Sequence, residues 1–94
     1  MTIISTKDRA FHLPKINLNG TSARSLEEEY HAALKAIRIA ETLLAKATCH
    51  GRDFQMQDPS DFEYARMERI DMLTSLGEVE DYLEAWYWNA VDAQ

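Results

Sequence analysis

The amino-acid sequence predicts an all-α protein: a long antiparallel two-helix hairpin with an extended N-terminal arm, assembling as a homo-oligomeric helical bundle. Two long runs of apolar residues repeat at alternating spacings of three and four, the period of helices that pack side by side. The 94 residues include only three glycines and two prolines, so few turns interrupt these runs. We divide the chain into an arm, residues 1–20, and a hairpin domain, residues 21–94.

The bulk composition indicates a small cytoplasmic protein. Hydrophobic residues make up 46% of the chain, enough for one small core. The single cysteine, Cys49, excludes an intrachain disulfide and is typical of a reducing compartment. The first residues lack the apolar segment of a signal peptide, and no apolar run reaches membrane-spanning length. We therefore expect a soluble protein without a membrane partner.

The net charge of -6 is concentrated at the C-terminal end. Residues 1–69 carry ten basic and ten acidic side chains, whereas residues 70–94 carry six acidic side chains and no Lys or Arg. Such an end repels nucleic-acid backbones and attracts basic protein surfaces. We expect no direct binding to duplex nucleic acid.

The N-terminal arm is predicted to be extended. Residues 11–18 alternate apolar and polar side chains, and Pro14 disfavours both a helix and a central strand. An ordered arm must pack on something, for example a neighbouring subunit.

The first helix is predicted to run from about Ser22 to about Ala47. Asn19-Gly20 favours a turn, and Ser22 can cap the first helical turn, with Ser25 as an alternative cap. One heptad seam follows the helix: Leu26, Tyr30, Ala33, Ile37, Ala40, Leu44 and Ala47. A second stripe lies about 90° round the helix and consists of Ala32, Ala36, Ile39 and Leu43.

The second helix is predicted to run from Pro59 to about Ala90. Gly51 suits the left-handed position that terminates the first helix, and Asp58-Pro59 is typical of a cap followed by a first-turn proline. The seam of this helix is Phe62, Ala65, Arg69, Met72, Leu76, Val79, Leu83, Trp86 and Ala90. Because the connection is short, the two helices should be antiparallel neighbours.

Two helices side by side cover one seam each and leave the second stripe exposed. Soluble monomers rarely expose so much apolar surface. A symmetric homodimer forming a four-helix bundle is the simplest closed arrangement, and larger symmetric assemblies are the alternative.

The hairpin tip combines cationic side chains, aromatic rings and amides in one short segment. Cations can hold phosphate or carboxylate, rings can stack on a base, and amides can read base edges. The candidate ligand-binding residues are His50, Arg52, Phe54, Gln55, Tyr64, Arg66 and Arg69. A structural interpretation stays open, in which Gly51 caps the helix, Arg52 pairs with an acid and Phe54 staples the loop.

Arg69 occupies a seam position, where a buried charge needs a partner. In one interpretation its aliphatic stem packs in the seam while its head reaches solvent or Glu41. In the other, Arg69 and Arg66 clamp an anion in a pocket between subunits.

No catalytic or metal-binding pattern is present in the sequence. Cys49-His50 places a thiol beside an imidazole, but no third group is placed to orient them. His12, His31 and His50 lack the spacing of metal ligands. We expect a protein that is not an enzyme and holds no cofactor or metal.

The C-terminal end carries the second candidate surface, for which protein-interface residues are Tyr82, Trp86, Tyr87 and Trp88. Tryptophan and tyrosine dominate interface energetics. Assembly of subunits and capture of a basic target protein are both compatible with this cluster. Trp86 and Trp88 point about 160° apart on a helix, so the cluster cannot face one seam.

Two motifs in the chain resemble those of small helical-hairpin proteins encoded by bacteriophages and prophages. The motifs are Asn19-Gly20-Thr21-Ser22 at the helix entrance and His50-Gly51-Arg52-Asp53-Phe54 at the hairpin. The likeness covers about residues 17–85, with Phe54 standing where tyrosine is expected. The resemblance implies a phage context in a host cytoplasm and assigns no activity.

These observations lead to three functional hypotheses. The first is a phage-type oligomeric binding protein that captures a small anionic, nucleotide-like ligand and acts as a sponge against a host defence system. The second is an acidic protein inhibitor that binds a basic surface of a host protein. The third is a structural or assembly accessory protein.

Overall fold

The computed structural model describes residues 11–94, and two long helices make up most of it. Helix α1 is Ala23–Lys46 and helix α2 is Pro59–Asp92, with a short 3-10 helix, Gly51–Phe54, between them. The predicted all-helical architecture is confirmed, since no strand occurs in residues 11–94. Residues 1–10 of the predicted arm lie outside the described residues.

Contacts across the seam show that the helices are antiparallel. Tyr30 near the start of α1 stacks on Trp86 near the end of α2. At the other end, Arg69 near the start of α2 reaches the last turn of α1. We call this second end the hairpin tip, and the end that holds the start of α1 and the end of α2 the open end.

The start of α1 is capped by Ser22, as predicted. The Ser22 Oγ accepts a hydrogen bond from the Ser25 N–H at 3.1 Å, which satisfies one of the unpaired donors of the first turn. Ser25 is therefore the partner of the cap inside the helix.

The end of α1 differs from the prediction. The helix stops at Lys46, and Ala47 adopts an extended conformation. The prediction of a left-handed Gly51 is wrong, because no glycine in residues 11–94 has a positive φ. Gly51 instead opens the 3-10 helix, so the last carbonyl groups of α1 need other partners.

The start of α2 follows the predicted cap and proline. Asp58 Oδ1 accepts the Ser60 N–H at 2.9 Å and the Ser60 hydroxyl at 2.7 Å. These hydrogen bonds, the backbone one first, lower the pKa of Asp58 below its ordinary value. Pro59 occupies the first turn, where its missing N–H has no partner to lose.

The seam of α2 lies one residue off the heptad at two positions. Met72 and Val79 were predicted to face α1, but they are 55% and 44% exposed. The next residue along the chain takes the seam position in each case, since Leu73 and Glu80 are half-buried. A straight helix has about 3.6 residues per turn, so a pattern that repeats every 3.5 drifts sideways along it.

A similar displacement occurs on α1. Ala40 and Ala47 of the predicted seam are exposed, while Leu34 and Glu41 are buried or half-buried. The seam therefore includes a carboxyl group from each helix, Glu41 and Glu80.

The core is very small. Among residues 11–94 only Leu34 and Ala90 are buried, at 3% and 0% exposure. With two long helices side by side and no third long helix in residues 11–94, the described part of the chain is a single layer of helices. No helix among the described residues is long and apolar enough to cross a membrane.

Residues 11–17 of the arm have no regular secondary structure and pack on the open end of their own hairpin. The Phe11 ring meets Tyr82 edge-on, with ring centroids 5.4 Å apart. The Asn89 Nδ2 donates to the Pro14 carbonyl at 2.9 Å. Asn17 then organises the turn into α1, since its Oδ1 accepts the Asn19 N–H at 3.0 Å. The arm of one chain thus finds its packing surface on that chain.

Candidate functional site

The loop at the hairpin tip is shaped by the side chain of His50. Its Nδ1 accepts the Arg52 N–H at 3.1 Å, and its carbonyl oxygen accepts the Asp53 N–H at 3.0 Å. His50 therefore caps the 3-10 helix, as serine or aspartate caps an α-helix. Because Nδ1 is the acceptor, the proton of the neutral imidazole lies on Nε2.

Phe54 fastens the same loop to α2. Its half-buried ring lies against Phe62 with centroids 5.8 Å apart, tilted by 45°. The Arg66 guanidinium carbon lies 5.8 Å from the Phe62 ring centroid, in the range of a cation–π contact. Gly51 backs against this ring too, since a Cβ added there would come within 3.6 Å of it. Phe54 is thus in the stapling position.

Arg69 crosses the seam and caps the end of α1. Its Nη1 donates to the carbonyl oxygen of Ala47, and its Nη2 donates to those of Leu44 and Ala45. The last turn of a helix leaves such carbonyl groups short of backbone partners. Among these three, only the Leu44 carbonyl also accepts a backbone donor in the turn, the Ala47 N–H at 3.2 Å. The guanidinium of Arg69 therefore binds backbone carbonyl groups and not the predicted partner Glu41.

A groove of about 510 Å³ runs along the hairpin tip beside this contact. We call it the tip groove. It is formed by the last residues of α1, by residues 47–50 that follow this helix, and by the early turns of α2. Its lining residues are Ala45, Lys46, Ala47, Thr48, Cys49, His50, Arg66, Arg69 and Ile70.

The tip groove is positively charged. Lys46, Arg66 and Arg69 line it, and no carboxylate does. Arg66 pairs with Glu63 at 3.4 Å, but both side chains are more than half exposed, so this pair is weak. Within residues 11–94 no ion pair involves Lys46. The groove therefore has cationic groups that are accessible to a ligand.

The predicted ligand-binding residues do not all meet in this groove. His50, Arg66 and Arg69 line it, whereas Arg52, Phe54, Gln55 and Tyr64 do not. Tyr64 is exposed and lies two positions from Arg66, which places it about 160° away round the helix.

Sequence reasoning missed Ile70, and it recognised Lys46 as a cation near the tip without including it among the candidate ligand-binding residues. Lys46 lies in the last turn before the loop, and Ile70 lies four residues after Arg66 on the same side of α2. The spacing of Arg66 and Ile70 was visible in the sequence. The position of Lys46 opposite them required knowledge of where α1 ends.

The aromatic residues of the open end mostly contact one another. Tyr30 and Trp86 stack with centroids 4.9 Å apart and planes 9° apart. Burial, followed by the nearby Tyr82, raises the pKa of Tyr30. The rings of Tyr87 and His31 have centroids 5.8 Å apart. Of the four predicted interface residues, Trp88 is the most exposed, at 55%.

A polar cluster interrupts the seam midway along the hairpin. Arg38 of α1 donates to Glu80 at 3.1 Å and to Glu84 at 2.7 Å on α2. Glu41 also faces Glu80, and the interaction with this carboxyl group, followed by burial, raises the pKa of Glu41. Two carboxyl groups, one from each helix, thus lie close together in the seam.

No cluster of three His, Cys, Asp or Glu side chains in residues 11–94 could hold a metal ion. The Cys49 thiol lies half-buried at the groove wall.

Comparison with known proteins does not place the chain in a family. No protein-family model matches it, and neither curated proteins nor solved structures give a significant match.

Proposed function

We propose that this protein is an oligomeric binding protein that captures a small anionic, nucleotide-like ligand in the tip groove. In the phage context that the two motifs imply, it would act as a sponge against a host defence system. The observation that supports this proposal is the convergence of Lys46, Arg66 and Arg69 on one groove without a carboxylate lining it. Its volume of about 510 Å³ is in the range of small-molecule sites.

Arg66 and Lys46 would make the direct contacts to the anion. The planar guanidinium of Arg66 can donate two parallel hydrogen bonds to a phosphate or carboxylate. Lys46 provides a compact charge on the opposite wall. His50 lines the groove as well, and its Nε2 is the nitrogen left to donate, because Nδ1 already accepts the Arg52 N–H.

Arg69 would act on the electrostatics of the groove. The C-terminal end of a helix carries partial negative charge, which repels an anion. Arg69 binds carbonyl oxygens of the last turn of α1 and brings a positive charge to that end. The groove can therefore attract an anion although it lies at the unfavourable end of α1.

Self-association belongs to the proposal because a flat layer leaves large apolar residues uncovered. Ile39, Leu43, Met67 and Met72 are all more than half exposed. Burial of such groups is the main driving force for association.

Calorimetry and thermal shift test the proposal. The probes are inorganic phosphate and a panel of mono-, di- and cyclic nucleotides. We expect one or more nucleotides to bind, and Arg66→Ala or Lys46→Ala to weaken binding at least tenfold. Lys35→Ala is the matched control, since this exposed cation of α1 does not line the groove.

Arg52→Ala separates the groove from the loop as the binding site. Arg52 is exposed and does not line the groove, so its loss should change affinity little. An absence of binding by every probe, or binding unaffected by Arg66→Ala and Lys46→Ala, contradicts the proposal.

A further inference from the structure

The outward side of α1 carries an apolar stripe that no other element covers. The α1 stripe is Ala32, Ala36, Ile39 and Leu43. At about 100° per residue these side chains project from one side of the helix. All four are exposed, and Ile39 retains 59% exposure. The stripe is therefore the largest apolar feature of α1 that its own hairpin leaves in water.

The stripe is divided by size, with two alanines in its first half and two large residues in its second. If two copies pack α1 against α1 in antiparallel directions, Leu43 of one copy meets Ala32 of the other, and Ile39 meets Ala36. Every large side chain then lies against a small one, so the helices can approach closely. Parallel packing would oppose large to large and small to small.

Charges beside the stripe fit the same direction. Glu28 precedes the stripe and Lys46 follows it, and both are exposed on the same flank of α1. Antiparallel packing brings Glu28 of one copy beside Lys46 of the other, at both ends of the contact. Glu28 already pairs with Arg24 at 3.4 Å, but both side chains are largely exposed, so this ion pair is weak and can give way to a pair with Lys46. Parallel packing would keep both Glu28 side chains at one end and both Lys46 side chains at the other, so the opposite charges would not meet.

We infer that a second copy of this chain covers the α1 stripe in an antiparallel two-fold dimer, with Ala32–Leu43 and Ala36–Ile39 as its central contacts. This inference rests on the proposed self-association and adds the face, the direction and the register. The two hairpin tips then lie at opposite ends of the dimer. Each tip groove, whose wall includes Lys46, borders the start of α1 of the other copy. The ammonium group of Lys46 has three N–H donors, so it can donate both to Glu28 of the other copy and to an anion in the groove.

Disulfide trapping tests the direction of packing. In a Cys49→Ser background, the double variant Ala32→Cys/Leu43→Cys carries two thiols about 16 Å apart along its own helix, too far for an intrachain bond. Mild oxidation should convert this variant into a covalent dimer on a non-reducing gel, while Ala32→Cys alone stays a single chain. Trapping of Ala32→Cys alone indicates parallel packing and overturns the inference. Failure to trap the double variant overturns it as well.

A charge placed in the stripe tests the face. Ile39→Glu should weaken association at least tenfold in light scattering over a concentration series, with unchanged helical circular dichroism. Met67→Glu is the matched control because Met67 of α2 is equally exposed, at 59%. Association of Ile39→Glu at wild-type strength, or an equal loss in both variants, overturns the α1 stripe while leaving self-association intact. A wild type that stays a single copy overturns both.

Discussion

The ring of Tyr30 lies flat on the ring of Trp86, with centroids 4.9 Å apart and planes 9° apart, and this stack joins the start of α1 to the end of α2. Trp86 also has Tyr82 within 6.1 Å, and the Tyr82 ring meets Phe11 of the arm. One side chain thus connects both helices and, through Tyr82, the arm. In a molecule with almost no buried core, such a contact contributes a large share of stability.

Replacement of the stacked tryptophan tests this connection. Trp86→Ala should lower the free energy of unfolding by about 3 kcal/mol, because it removes a large half-buried ring together with its stacking partner. Urea denaturation followed by circular dichroism at fixed protein concentration provides the measurement. Trp88→Ala is the matched control, and its 55% exposure predicts a loss below about 1 kcal/mol. Equal losses for the two variants would contradict the role of the stack.

The helix cap supplied by Arg69 leads to a second prediction. Arg69→Ala should lower the free energy of unfolding by about 2 kcal/mol, because carbonyl groups at the end of α1 lose a charged donor. Arg69→Lys should recover only part of this loss, since an ammonium group cannot reproduce the fork of a guanidinium. Arg66→Lys, in the same groove, should stay within about 0.5 kcal/mol of wild type. A fully stable Arg69→Ala would show that the cap is dispensable.

The carboxyl pair in the seam leads to a prediction about pH. The pKa of Glu41 in the folded protein is raised above its ordinary value of 4.5 by Glu80 and by burial. The folded state therefore binds the proton more tightly than the unfolded state. The resulting stabilisation is complete below the ordinary pKa and is lost as pH rises through the raised one. At neutral pH, Glu41→Gln should increase the free energy of unfolding by about 1 kcal/mol.

The pH series supplies the control for this prediction. The gain of Glu41→Gln over wild type should shrink as pH falls from about 7 towards 4, since wild-type Glu41 becomes protonated there. Glu68→Gln, at an exposed position on α2, should show no such trend. A gain that does not depend on pH would mean that repulsion between the carboxyl groups is not its cause.

Gly51 provides a test of the loop geometry. With no positive φ and ordinary contact to Phe62 at 3.6 Å, Gly51→Ala should change stability by less than about 1 kcal/mol, in either direction. A left-handed glycine, the conformation expected from sequence, would lose more than this on substitution. Thermal unfolding of the two proteins in parallel distinguishes the two conformations.

Local sequence signals predicted the ends of the elements where a side chain acts on its own neighbours. Ser22 and Asp58 bind donors two or three residues away, and both caps are where the pattern placed them. The predicted left-handed cap at the end of α1 was wrong because the residue that binds its carbonyl groups, Arg69, lies far along the chain. A glycine near a helix end favours a left-handed cap, but a distant guanidinium satisfied the carbonyl groups instead.

The candidate site was predicted in composition but not in arrangement. The cations near the tip were recognised from the sequence. Which of them line one groove depends on the direction in which each side chain projects. Tyr64 and Arg66 are two residues apart in the sequence and on different sides of α2. The heptad pattern likewise located the seam but could not show its drift from Met72 to Leu73.

The single layer formed by α1 and α2 has a consequence for hydrogen exchange. In a single layer of helices, every backbone amide lies within one helix radius of solvent, so transient fraying exposes each of them with little cooperativity. Amides in an isolated hairpin should therefore exchange with deuterium at similar, fast rates along both helices. Slow exchange confined to particular turns would trace, residue by residue, the surfaces that become shielded in solution.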